Sequence, residues 1–212
     1  MCTKMMSQNS SHILKARDIP NRLMTKADIA EGIAVLDESV FQDCTNLCEV
    51  IFPESLRRIR QYAFCSCIAL QEIVIPQTVE NMGGGLFYGC SSLKAVVLPE
   101  QTAKIGSRFF YGCSSLTDFS MPAVKEIHME AFAFCKSIET VILPEGLTRI
   151  GKRAFYNAKS LREVVIPPSV TRIEEEAFFG CEALTRVTIP NCFATQIQFI
   201  FGRVSFDQLI FT

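Results

Sequence analysis

A solenoid of short parallel strands is the fold this 212-residue sequence predicts, and three regularities point to it. Seven prolines (Pro53, Pro76, Pro99, Pro122, Pro144, Pro167 and Pro190) recur at intervals of 23, 23, 23, 22, 23 and 23 residues. A phenylalanine stands in every unit: Phe41, Phe64, Phe87, Phe110, Phe132, Phe155 and Phe178. Three residues after it come Cys44, Cys67, Cys90, Cys113, Cys135 and Cys181, with Ala158 in the sixth unit, and then Leu47, Leu70, Leu93, Leu116, Ile138, Leu161 and Leu184. A period of this length marks units that bury an apolar face only by stacking on their neighbours. One unit alone buries too little to offset the entropy of ordering it.

Within a unit, the stretch L-x-x-V-x-I/L alternates with the two-residue period of a strand, as Val164 and Ile166 do. The proline that follows lacks an N–H, so it stops the ladder and turns the chain. A V/L-x-x-I step, such as Val170 and Ile173, then reads as a second short extended piece on an opposite wall. The segments between, such as those around Phe155 and Phe178, hold helix formers but leave room for only a turn or two of α- or 3-10 helix. The predicted class is therefore a leucine-rich-repeat solenoid of the α/β type, a single array.

The ends are less regular. Residues 1–29 read as a lead-in and partial cap, although Met24, Ala27 and Ile29 fall on the strand frame while residues 1–20 have no register. Residues 30–190 hold seven repeats. Residues 191–212 read as a degenerate final repeat or cap, with Phe206, Leu209 and Phe211 on the same frame. A strand so rich in Phe and Ile is either shielded by its own side chains or sticky, which opens a route to self-association through the sheet ends.

The repeat, seen in LTRIGKRAF, VTRIEEEAF, FYGCSSL and the recurring IP or LP, resembles the BspA-like leucine-rich repeat family from about Ala30 to Pro190. The resemblance implies a curved right-handed solenoid with one strand per repeat on its concave side. It also implies a binding or adhesive role, since members are commonly surface proteins of bacteria and some parasitic protists. It supplies no catalytic residue.

Composition narrows the function further. With 21 basic and 22 acidic residues the chain lacks the cationic excess that a nucleic-acid partner demands. No apolar run approaches the length of a membrane span. The first fifteen residues lack the apolar core of a secretory signal, which places the chain as given in the cytoplasm; as a fragment of a longer protein it would belong at the cell surface. Ten cysteines are too few for a disulfide scaffold, and six form the ladder, where each packs as a small hydrophobe. Their spacing is wrong for zinc. Cys65 is unaccounted for by the ladder, and Cys48 precedes a strand where it is open to reaction. The two histidines, His12 and His128, sit in the unregistered tail and in a variable slot, so neither is placed as a catalytic base. Met82 to Leu86 lacks the lysine of a phosphate loop and reads as a loosened repeat. No cofactor and no enzymatic activity are expected.

The strand face carries the candidate site. Its outward residues are Ile51, Val74, Val97, Ser120, Ile142, Val165 and Thr188, and two positions earlier stand Glu49, Glu72, Ala95, Asp118, Thr140, Glu163 and Arg186. Stacked strands turn these into columns, one largely β-branched and one largely acidic. β-Branched residues also favour strands for their own sake. A contiguous apolar stripe nevertheless marks a contact surface, so Glu49, Glu72, Val74, Val97, Asp118, Ile142, Glu163 and Val165 are the candidate residues for a protein partner. A basic row on the opposite wall, Arg58, Lys104, Arg149 and Arg172, is interrupted by Val35, Asn81 and Glu126. The alternatives are a cell-surface adhesin module, or a structural spacer that binds nothing.

Overall fold

The computed structural model describes residues 2–5, 12–202 and 206–212. Each repeat traces a three-sided coil, and every side stacks on the same side of its neighbours. The first wall holds the V-x-I strands: Cys2–Met5, Lys26–Ile29, Glu49–Ile51, Glu72–Val74, Ala95–Val97, Asp118–Phe119, Glu163–Val165, Arg186–Ile189 and Gln208–Phe211. All pairing is parallel and between successive repeats, with Glu72 opposite Ala95, Ala95 opposite Asp118, and Glu163 opposite Arg186. The second wall is made of two-residue strands from Ile13–Leu14 to Arg172–Ile173. Its ladder passes through Val35, Arg58 and Asn81, and again from Lys104 through Glu126 and Arg149 to Arg172.

The third side differs from the short helical connections predicted. Among the described residues, helical elements occur only toward the ends, at Ala16–Asp18, Asn191–Gln196 and Ile197–Phe201. Between them the segments around each core phenylalanine are successive turns, with a left-handed residue two positions before and two after it. Ser39, Tyr62, Gly85, Arg108, Glu130, Arg153 and Glu176 form one such column, and Asp43, Ser66, Gly89, Gly112, Phe134, Asn157 and Gly180 the other. Left-handed backbone costs a non-glycine residue roughly 1–2 kcal/mol, and hydrogen bonds between repeats offset it. Phe64 N–H donates to the Leu86 carbonyl at 3.0 Å, Phe87 to Phe109 at 2.8 Å and Phe155 to Ala177 at 2.7 Å. Every bond of this kind points the same way, from one repeat to the next.

The core is a spine. The seven periodic phenylalanines are fully buried, and Phe201 extends their column. Neighbouring rings lie 5.0–5.8 Å apart and nearly parallel, the flattest pair being Phe132 and Phe155 at 5.0 Å and 1°. Beside them, each ladder thiol after Cys44 donates to the phenylalanine carbonyl of the preceding repeat. Cys90 Sγ reaches the Phe64 oxygen at 3.0 Å, Cys113 that of Phe87 at 3.1 Å and Cys181 that of Phe155 at 3.2 Å.

Both ends continue the stack. Residues 1–20, which show no register in sequence, supply Cys2–Met5 opposite Lys26–Ile29 and Ile13–Leu14 opposite Val35–Leu36. At the other end Gln208–Phe211 pairs with Arg186–Ile189, placing Leu209 opposite Val187 and Phe211 opposite Ile189. The glycine run is not slack. A methyl group on Gly83 would lie 2.3 Å from the Gln61 nitrogen, and one on Gly85, at φ +61°, would enter the Tyr62 ring. These glycines let adjoining backbones approach, although the second-wall ladder is interrupted between Met82 and Lys104.

Candidate functional site

The first wall displays its columns as the sequence predicts. Val74, Val97, Ile142 and Val165 are 64%, 50%, 89% and 52% exposed, and Ile51 is open as well. Val74 stands directly opposite Val97, and Val165 opposite Thr188. Their strand neighbours turn inward: Ile73, Val96 and Val164 are buried in the core. The same pleat that hides one residue presents the next.

The charged column is less uniformly acidic than its letters indicate. Glu49 pairs with Lys26 at 2.6 Å, and Glu163 faces Arg186 at 3.4 Å. Glu72 and Asp118 are exposed and make no ion pair among the described residues. Negative charge is thus free in the middle of the wall and partly neutralised toward both ends. Exposed pairs of this kind are worth about 0–1 kcal/mol, so they shape the field more than the stability.

The wall is interrupted twice, which separates the candidates into three groups. No ladder joins Ile51 to Glu72, nor Phe119 to Thr140. Glu49 stands before the first break; Glu72, Val74, Val97 and Asp118 lie between the two; Ile142, Glu163 and Val165 follow the second. Each break adjoins a phenylalanine in a strand column that other units fill with smaller side chains: Phe52, aligned with Ile75 and Leu98, and Phe119, aligned with Ile73 and Val96. Both rings lean on the spine, Phe52 on Phe64 at 6.0 Å and Phe119 on Phe132 at 5.1 Å. The signal was present in the sequence as two misplaced aromatics.

A second row on the turn side went unread in the sequence, although Tyr88, Tyr111, Tyr156 and Phe179 each stand 11 residues before a periodic proline. Tyr62, Tyr88, Tyr111, Phe134, Tyr156 and Phe179 stack outside the spine, with Tyr88 and Tyr111 4.7 Å apart and parallel at 1°. Tyr156 and Phe179 also lie face to face at 10°, whereas Tyr62–Tyr88, Tyr111–Phe134 and Phe134–Tyr156 meet edge-on or tilted. A cavity of about 740 Å³ opens at the end of this side around Phe179, Phe199 and Phe201. Its carboxylates Glu175, Glu176 and Glu182 already pair with Lys152, Arg153 and Lys159. On the second wall, burial pushes the Glu174 carboxyl up, but hydrogen bonds from Arg149 and the Lys152 amide outweigh it and hold the group below its ordinary value.

Redox and acid–base chemistry find little footing. Burial pushes the Cys90 and Cys181 thiols up to about 12, and Cys113 and Cys135 are also raised by burial. A thiol so disposed is neither a nucleophile nor a ligand at neutral pH. Cys48 and Cys192 are exposed. His128 Nε2 lies 2.9 Å from Glu126, and His12 Nδ1 lies 2.7 Å from the Gly32 carbonyl. Among the described residues no three His, Cys, Asp or Glu side chains gather to hold a metal, and no helix is long and apolar enough to cross a membrane.

The coil geometry agrees with what comparison with known proteins finds. The family model for the BspA type leucine-rich repeat region, in six copies, matches residues 20–139 and 125–212. The chain belongs to that family. Among solved structures, this BspA-type array is similar to a leucine-rich repeat protein from Bacteroides ovatus, with 27% identity and a TM-score of 0.73 over 87% of this chain and 54% of that one. A leucine-rich repeat protein from Eubacterium ventriosum matches with 28% identity and a TM-score of 0.68, over 75% of this chain and 43% of that one. The pneumococcal vaccine antigen PcpA shares the fold at 22% identity and a TM-score of 0.56, over 78% of this chain and 51% of its own. The BspA-type chain spans about half the length of these structures. No curated protein matches it.

Proposed function

We propose that this BspA-type array is a non-enzymatic binding module that captures a protein partner on its first wall, the face that the family resemblance places on the concave side. One observation carries the reading: large apolar side chains stand exposed in register along one face, with free carboxylates beside them. A folded protein keeps such a stripe at a cost in solubility unless something covers it. The free ladder thiols, five of which donate to a carbonyl, support a reducing compartment as the place of work.

The test uses Glu72→Lys with Val74→Ser, two exposed positions whose change leaves the core alone. Affinity capture from the source lysate, read by mass spectrometry, is expected to lose at least one specific protein while the melting temperature stays within about 1 °C, as surface substitutions usually allow. Undiminished capture by the double variant would favour the spacer alternative.

A further inference from the structure

The second interruption of the first wall opens the molecule to its core. Two departures from the period explain it. The unit from Pro122 to Pro144 is 22 residues long, and Phe119 occupies a column filled elsewhere by Val50, Ile73, Val96, Val141, Val164 and Val187. The Phe119 ring keeps its strand paired with Val96 on one side, but on the other it leans across the gap onto Phe132 at 5.1 Å, with Phe110 at 6.4 Å. The strands part, and no backbone hydrogen bond joins residues 117–121 to 139–143 among the described residues.

What remains is a groove of about 370 Å³ of mixed polarity, in which Phe119, Val141 and Ile142 stand among Thr117, Ser120, Thr140 and Glu145. Phe119 and Val141 are half-buried there, whereas their counterparts Val96 and Val164 are fully covered. Ile142, on one lip, is the most exposed large apolar side chain described, at 89%. Among the described residues, Asp118 and Glu145 flank the groove without ion pairs, and Glu139 has a 3.7 Å contact with Arg162.

Backbone groups unpaired across the gap, a half-buried Phe119–Val141 pair in a slot of mixed polarity, and local negative charge together make a site for an extended chain. We propose that this groove takes a short extended peptide segment of the partner protein, one apolar residue flanked by lysines or arginines. The apolar side chain enters between Phe119 and Val141, the peptide backbone pairs with one lip, and the cations face Asp118 and Glu145. A helix would leave the lips unpaired. The same face of a second copy would bring like charges together. The inference rests on the reading of the first wall as the docking face.

Fluorescence polarisation with the labelled hexapeptide KTRLKT tests it, with ETELET and the proline-interrupted KTPLKT as controls. KTRLKT is expected to bind at low salt, both controls to bind at least about tenfold more weakly, and Glu145→Gln with Ile142→Ser to cost a similar factor. Hydrogen exchange at residues 139–143 should slow on binding. Equal binding to that variant, or protection confined to Val74 and Val97, would overturn the groove while leaving the wall reading intact. Absence of KTRLKT binding also overturns the groove, whereas undiminished partner capture by the Glu72→Lys, Val74→Ser variant strikes the wall reading itself.

Discussion

Single residues in this array are repeated experiments, because each has counterparts in the same setting. Thr102 occupies a position that Leu56, Val79, Val124, Leu147 and Val170 fill with hydrocarbon. Its Oγ1 is buried without a hydrogen-bond partner. Thr78 shares that defect, and the Leu56 carbonyl, counterpart of those that Ser55 and Ser169 reach, accepts from Arg57 instead. Replacing Thr102 by Val removes an unsatisfied hydroxyl and keeps the shape, so stability should rise by about 1 kcal/mol. Urea denaturation checks this; an unchanged or lower midpoint would contradict the burial. Ala158 is the natural counterpart on the thiol side, since the Phe132 carbonyl lacks the thiol that serves Phe110 and Phe155.

At the level of elements, the spine is where repeats are coupled. Phe155 touches Phe132 and Phe178, each at 5.0 Å. Phe155→Ala should cost about 3–5 kcal/mol by cavity formation, and the fast-exchanging amides should spread outward from that repeat. Loss confined to a few tenths of a kcal/mol in chemical denaturation would show the stack to be incidental. The columns of Phe, Cys and Leu were legible because a buried position tolerates few alternatives. The turns were not: Arg153, Glu176 and Tyr62 carry no local mark of left-handed backbone, and the bonds that impose it come from the next repeat. The strand Cys2–Met5 was hidden for a related reason, since a backbone ladder does not need the repeat's letters. The wall's candidates were legible as columns, but their division into three groups hinged on Phe52 and Phe119, whose size matters only against a neighbouring strand.

For the whole molecule, the ladder thiols link stability to alkaline pH. Cys44, Cys67, Cys90, Cys113, Cys135 and Cys181 are all raised above the ordinary value of 9.0, Cys90 and Cys181 to about 12, because burial disfavours the thiolate. The folded state binds these protons more tightly than the unfolded one. Their contribution is therefore whole below pH 9 and drains away as pH climbs toward 12. The urea midpoint should hold up to about pH 9 and then fall, and a Cys90→Ala, Cys113→Ala variant should fall less steeply. A midpoint equally steep in both would assign the decline to other groups.

The turn side carries one more implication. Around each spine phenylalanine, the amides that bond between repeats aim at the following repeat, and the carbonyls that receive such bonds face the preceding one, as Phe41 to Ala63, Phe64 to Leu86 and Phe87 to Phe109 illustrate. The first of these turns meets an arginine from outside the period, Arg22, which donates to the Gln42 carbonyl. Such a coil has a head and a tail, like a column of magnets. Gene duplication or loss can therefore add or delete units in whole multiples and keep every donor facing an acceptor, whereas an excision ending mid-unit would strand both.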